Sequence, residues 1–129
     1  MRLMLICAIL ALAGCAANPG AHVDPSLLAR AQRPLICPDA AQCAAYWQRA
    51  QVWIIKNSSY RIQTVSEAVI VTFGPFGGTT DLAFNVTRSP GQDGSATIDI
   101  DARCDNIFGC FPNPWEAIAS FKQFVGASD

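Results

Sequence analysis

Two pairs of cysteines with the same spacing are the strongest constraint on how this chain folds. Five residues separate Cys37 from Cys43, and five residues separate Cys104 from Cys110. In an exported chain, these four cysteines predict two disulfides, because an even number of cysteines usually pairs in an oxidising compartment. Four cysteines allow three connectivities, of which two local bridges are the simplest. The alternative is a zinc site, although zinc ligand pairs usually have C-x2-C to C-x4-C spacing.

The amino-terminal segment predicts export. All but two of the 17 residues in Met1–Ala17 are apolar, the exceptions being Arg2 and Gly14. Arg2 supplies a positive charge and Leu3–Leu12 form an apolar run of about ten residues, as in a signal peptide. A membrane-spanning helix needs about 20 such residues. The 51% of hydrophobic residues and the mean hydropathy of +0.25 therefore largely reflect an export signal.

The end of this segment, Leu12-Ala13-Gly14-Cys15, resembles the lipobox of bacterial lipoproteins at every position. The resemblance implies cleavage after Gly14, which removes Cys7, and a diacylglycerol on the Cys15 sulfur that binds the protein to a membrane. The residue after Cys15 is Ala16. An aspartate at this position would retain such a lipoprotein in the inner membrane of enteric bacteria. In a Gram-negative host we therefore expect the periplasmic side of the outer membrane. The alternative is an ordinary cleaved signal peptide in which Cys15 is incidental.

If the chain is processed in this way, we expect it to consist of three segments. They are a signal peptide at 1–14, the lipidated cysteine with a flexible tether at 15–36, and a folded domain with disulfides at 37–129. The tether shows no sustained apolar face, although Asp24 and Pro25 favour a short helix over Ser26–Arg33. His22, the single histidine of the chain, lies in this tether, where we expect it to be exposed.

Helical spacing begins just after Cys37. Asp39 and Gln42 form a capping box, and Asn57 is a candidate left-handed terminator. Between them, one continuous apolar stripe has the period of a helix, and it consists of Cys43, Tyr46, Trp47, Ala50, Trp53 and Ile54. The two tryptophans allow a ligand platform, but a core position beneath a sheet is the favoured interpretation.

From Ser59 the apolar period changes to two, which predicts strands. We expect four of them, around Tyr60–Thr64, Val69–Phe73, Asp81–Thr87 and Ala96–Ala102. A tight turn or bulge at Ser66-Glu67 and a glycine-rich hairpin loop at 74–78 connect the first three strands. A second helix follows, with Asn113 as its cap, Pro114 in its first position and Gly126 after its last turn. The predicted fold class is α+β, with an amino-terminal helix, a four-stranded antiparallel meander and a carboxy-terminal helix, both helices on one face of the sheet.

The available side chains exclude several kinds of chemistry. A formal net charge of −1 argues against nucleic acid as a partner. One histidine, outside the predicted domain, excludes a Ser-His-Asp triad there. Asp99 and Asp101 lie two apart on a predicted strand and could bind calcium or act as acid and base in a small envelope hydrolase. An exposed polar sheet face explains them better, so we expect no enzyme, no metal site and no cofactor.

The stretch between Cys104 and Cys110 is the most distinctive. A disulfide-closed loop that carries Phe108 and Phe111 is a candidate recognition surface, because a closed loop loses less entropy on binding. The favoured interpretation, however, is that both phenylalanines pack beneath the loop. The chain resembles small cysteine-containing envelope lipoproteins of unassigned function. We therefore expect a membrane-anchored periplasmic lipoprotein that binds a protein partner in the envelope or supports its structure. A further alternative is an inhibitor of an extracellular or periplasmic enzyme.

Overall fold

The computed structural model describes residues 23–127, which form three helices and a five-stranded antiparallel sheet. The elements in chain order are α1 (Pro25–Gln32), β1 (Leu35–Cys37), α2 (Ala40–Asn57), β2 (Ile62–Val65), β3 (Val69–Thr72), β4 (Ala83–Pro90), β5 (Ala96–Arg103) and α3 (Pro114–Val125). Their order across the sheet is β1-β5-β4-β3-β2. The α+β class and the meander of β2 to β5 are confirmed, and the predicted number of four strands is corrected to five.

Two of the three residues of strand β1, Leu35 and Ile36, lie within the segment predicted as a flexible tether. The strand pairs with β5, where Leu35 is opposite Ile98 and Cys37 is opposite Ala96. The short helix before it, α1, begins as expected, because the Asp24 carboxylate accepts hydrogen bonds from the backbone amides of the first turn. Three residues are too few to show an alternating pattern, so the sequence did not reveal the edge strand. The folded unit therefore includes the second half of the segment 15–36.

Helix α2 follows the predicted apolar stripe. The Asp39 carboxylate accepts a hydrogen bond of 2.8 Å from the amide of Gln42, which caps the first turn. Five residues of the stripe are buried, namely Cys43, Trp47, Ala50, Trp53 and Ile54. The predicted left-handed terminator is wrong: Asn57 is still helical, and its side-chain amide donates to the carbonyl of Trp53 at 2.8 Å. The chain leaves the helix through Ser58 in extended conformation.

The core lies between the sheet and helices α2 and α3. The Trp53 ring makes edge-to-face contacts with Phe84 of β4 and Phe121 of α3, each with ring centroids 5.3 Å apart. Such pairs contribute about 0.5–1.5 kcal/mol each beyond their burial. Helices α2 and α3 therefore share the face of the sheet on which Phe84 lies, and the tryptophan stripe is core. Helix α1 packs against α3.

Helix α3 has the predicted ends. The Asn113 side chain accepts a hydrogen bond of 2.9 Å from the Trp115 amide, Pro114 is the first helical residue, and Gly126 is the cap at the other end. Across residues 23–127, none of the helices has the length and hydropathy required to cross a membrane.

Candidate binding surface

Two long loops meet at one end of the sheet because of the pairing between β4 and β5. The β3–β4 loop (73–82) enters β4 at Ala83, and the β5–α3 loop (104–113) leaves β5 at Arg103. Ala83 and Arg103 are directly opposite each other in the ladder. The loops therefore start side by side, and together they form what we call the two-loop tip. The glycine-rich segment 74–78, predicted as a hairpin connection, is part of this tip.

Hydrogen bonds join the two loops. The Asn106 side-chain amide donates to the Gly78 carbonyl at 2.7 Å, and the Gly78 amide donates to the Asp105 carboxylate at 3.3 Å. The Phe111 amide donates to the Thr80 carbonyl at 3.0 Å. Since these bonds satisfy backbone groups of both loops, each loop restrains the other.

Large apolar side chains project from the two-loop tip into solvent. The exposed fractions are 94% for Phe108, 93% for Ile107, 79% for Phe111 and 58% for Phe76. The favoured interpretation from the sequence, that Phe108 and Phe111 pack beneath their loop, is therefore wrong. Four such side chains on two adjoining loops make a larger apolar surface than the scattered single residues that are normal on a protein.

Tyr60 supports the β3–β4 loop from the segment that precedes β2. Its hydroxyl lies 2.9 Å from the Thr79 Oγ1 and accepts a hydrogen bond of 3.2 Å from the Phe76 amide. Its ring makes an edge-to-face contact with the Phe76 ring, with centroids 5.7 Å apart. Tyr60 was predicted to be a strand residue, but β2 begins only at Ile62. Its role depends on contacts 16 and 19 residues away, which periodicity does not reveal.

Both predicted disulfides are present, and they occupy different environments. Cys37–Cys43 connects β1 to α2, and both cysteines are completely buried. Cys104–Cys110 closes the β5–α3 loop, and both of its cysteines are partly exposed. The first disulfide therefore belongs to the core, and the second shapes the two-loop tip.

Strand β5 carries both Asp99 and Asp101. Both are exposed on β5, where Asp99 lies opposite Thr87 and Asp101 lies opposite Asn85. Among residues 23–127 there is no group of three or more His, Cys, Asp or Glu side chains that could hold a metal ion. The exposure of Asp99 and Asp101 matches the polar sheet face that the sequence favoured.

The charged residues within the two loops are acidic. The two loops contain Asp81 and Asp105 and no lysine or arginine, so their formal charge is −2. Asp105 is exposed, and Asp81 is partly exposed. A surface that combines exposed apolar side chains with a few charged groups resembles a protein interface, where charged groups lie at the rim.

Two sites named from the sequence, Cys15 and His22, lie outside the described residues. The expected acylation and the expected exposure of the histidine therefore remain predictions. No protein-family model, no curated protein and no solved structure matches this chain.

Proposed function

We propose that this protein is a lipid-anchored protein of the bacterial envelope that binds a protein partner through its two-loop tip. The observation that carries the proposal is the exposure of Phe108 at 94%, inside the ring closed by the Cys104–Cys110 disulfide, and of Phe111 at 79%, next to that ring. Aromatic side chains dominate the binding energy of many interfaces. The role is binding or structural support in the envelope, not catalysis.

Exposed apolar side chains gain free energy when a partner removes them from water. Complete burial of one large apolar side chain contributes about 1.5–3 kcal/mol. The disulfide and the bonds between Asn106, Asp105 and Gly78 hold the loops in place before binding. A surface that is already ordered loses less conformational entropy when the complex forms.

The two aspartates of the two-loop tip indicate what a complementary partner surface contains. A pocket that receives Phe108 and Phe111 would be apolar, and basic side chains around it would face Asp81 and Asp105. Such complementarity mainly raises association rates and selects among partners. The partner we propose is therefore a protein with an apolar pocket bordered by lysine or arginine.

The proposed anchor keeps the folded unit near a membrane. The ten residues from Cys15 to the start of α1 at Pro25 span at most about 33–36 Å when fully extended. With a diacylglycerol on Cys15, the two-loop tip could contact only partners that lie close to the bilayer. In a Gram-negative host, these partners would lie at the periplasmic side of the outer membrane.

Photocrosslinking in intact cells tests the binding surface. A benzoylphenylalanine placed at Phe108 is expected to form an adduct with one protein, and Ile107→Ser together with Phe111→Ser should abolish it. The matched control places the same group at Ile55, which is 69% exposed on α2. Equal adducts at both positions, or none at Phe108, would contradict the proposal.

A separate experiment tests the anchor. Cys15→Ala is expected to release the protein from membranes, whereas Cys7→Ala should leave it bound, because Cys7 lies in the segment that is cleaved. Mass spectrometry of the wild type should find acyl chains on the amino-terminal cysteine. Membrane binding that survives Cys15→Ala, with no acyl group on the wild type, would show that the lipoprotein assignment is wrong.

The inhibitor alternative rests on the same rigid, disulfide-closed loop, since a preformed loop can occupy the site of another enzyme. It requires the two-loop tip to meet that enzyme. If the enzyme is extracellular, a protease added to intact cells should reach the domain. Complete protection of the domain from that protease would exclude an extracellular target.

A further inference from the structure

A cleft between the end of α1 and the end of α3 collects cationic side chains, far from the contacts that build the two-loop tip. Its volume is about 350 Å³. Polar and charged groups on its walls come from Arg30, Arg33, Lys122 and Gln123. The remaining walls are small or apolar, from Pro34, Leu35, Ala119 and Gly126.

Lys122 links α3 to the end of α1 at this cleft. Its Nζ atom donates hydrogen bonds of 2.6 Å to the Ala31 carbonyl and 2.8 Å to the Arg33 carbonyl. Carbonyls at the end of a helix carry partial negative charge, which an ammonium group stabilises. The contact places Arg30 and Arg33 beside Lys122, although they belong to a different element.

Positive charge dominates the cleft. No aspartate or glutamate is among the described residues that line it. Burial lowers the pKa of Lys122, and the nearby Asp99 opposes that shift. Asp24 is the acidic group that interacts electrostatically with Arg30. Neither carboxylate lines the cleft, so its three charged lining residues, Arg30, Arg33 and Lys122, are all basic.

We propose that this cleft binds a phosphate group, either as free phosphate or as the headgroup of a phospholipid. Two guanidinium groups can each donate paired hydrogen bonds to phosphate oxygens, in the planar geometry that favours arginine for such ligands. The Gln123 amide adds a neutral donor, and Lys122 adds charge. The proposal goes beyond the proposed protein-binding function and does not depend on it.

Two probes distinguish the sources of the phosphate. The full chain in uncharged detergent micelles is titrated with inorganic phosphate and, separately, with dihexanoylphosphatidylglycerol, while NMR follows the backbone amides of 119–126. Dihexanoylglycerol, which has the same acyl chains without phosphate, is the control ligand and should cause no saturable shift. Saturation by inorganic phosphate alone assigns the cleft to free phosphate, and saturation by the phospholipid alone assigns it to a headgroup.

Arginine variants connect the binding to the cleft. Arg30→Gln and Arg33→Gln are each expected to weaken the binding of the active probe about tenfold or more, because each removes charge-assisted hydrogen bonds. Lys56→Gln, which removes a cation from the exposed last turn of α2, should bind as the wild type does. Lys122 is left unchanged because it also holds α1 in place.

Arg30→Lys keeps the charge and removes the planar fork, so we expect affinity between those of the wild type and Arg30→Gln. Thermal unfolding of each variant shows that it is folded. The proposal is wrong if the wild type saturates with neither probe, or if folded Arg30→Gln and Arg33→Gln variants bind as tightly as the wild type.

Discussion

The side-chain amide of Asn106 donates a hydrogen bond of 2.7 Å to the carbonyl oxygen of Gly78, 28 residues earlier in the chain. The same side chain accepts a hydrogen bond of 2.9 Å from the Phe108 amide through its oxygen. One residue therefore fixes the shape of the β5–α3 loop and holds it against the β3–β4 loop. These two bonds restrain the backbone at Phe108.

Asn106→Ala should loosen the two-loop tip without unfolding the domain. The variant loses two hydrogen bonds, each with a net contribution of about 0.5–1.5 kcal/mol, and the low end applies because the site is exposed. Amide hydrogen exchange of Phe108 and Phe111 is expected to accelerate, while exchange in α2 stays unchanged. Asn85→Ala, on the exposed face of β4, is the control. Unchanged exchange at Phe108 would show that Asn106 does not order the tip.

Gly74→Ala should destabilise the protein more than Gly77→Ala. Both glycines have positive φ, +81° and +66°, so alanine is strained at either position. A left-handed conformation costs a non-glycine residue about 1–2 kcal/mol. At Gly74 the new methyl group would also lie 2.9 Å from the Tyr60 ring, whereas at Gly77 no atom lies within 4 Å.

Chemical denaturation of both variants measures that difference. The excess loss of unfolding free energy in Gly74→Ala should shrink in a Tyr60→Leu background, because the obstructing ring is absent there. Equal losses in Gly74→Ala and Gly77→Ala would mean that the Tyr60 ring moves aside at no cost.

The stability of α1 should depend on pH because the carboxyl group of Asp24 titrates. Hydrogen bonds from the Ser26 side chain and from the Leu27 and Ser26 amides hold the pKa of this carboxyl below its ordinary value of 3.8. The folded state therefore binds the proton less readily than the unfolded chain. The contribution of the carboxylate is present above the unfolded pKa and is lost as the pH falls through the lowered folded pKa.

Asp24→Asn is the matched control, because asparagine also caps a helix and does not titrate in this range. Denaturation between pH 2 and pH 6 should show the wild type losing stability relative to Asp24→Asn in the acidic part of the range. A constant difference between the two proteins over that range would contradict the assignment.

Local signals in the sequence predict much of this fold. Asp39, Asn113 and the tryptophan stripe of α2 act within one or two helical turns, so spacing alone locates the helices. Strand β1 was missed because its stability comes from pairing with Ile98 and Ala96, about 60 residues away. Nothing in three residues between two prolines records that pairing.

The candidate sites were predicted only in part, for the same physical reason. Phe108 and Phe111 stood out because a cysteine pair encloses or borders them. Phe76 and Tyr60 join them through the alignment of Ala83 with Arg103, which depends on the strand register. The cationic cleft needs α1 to pack on α3, a contact that spans 89 residues between Lys122 and Arg33.

The two disulfides should have separable effects. Each closes a ring of seven residues, for which the chain-entropy model gives a contribution of about 2.3 kcal/mol. Replacing both Cys37 and Cys43 by alanine also opens space in the core, since both side chains are completely buried. We therefore expect this variant to lose clearly more unfolding free energy than the variant with Cys104→Ala and Cys110→Ala.

For binding through the two-loop tip we expect the opposite order, with the larger loss in the variant that lacks Cys104–Cys110. Without Cys104–Cys110 the β5–α3 loop keeps its hydrogen bonds from Asn106 and Phe111 but loses its covalent closure. Crosslinking from Phe108 to the partner should therefore weaken. The amides of α2 should remain protected from hydrogen exchange. Without Cys37–Cys43, crosslinking should persist wherever the domain is still folded. The two double variants could instead lose stability and crosslinking in the same proportion. That result would contradict the assignment of one disulfide to the core and the other to binding. The exposed phenylalanines would then need a different explanation.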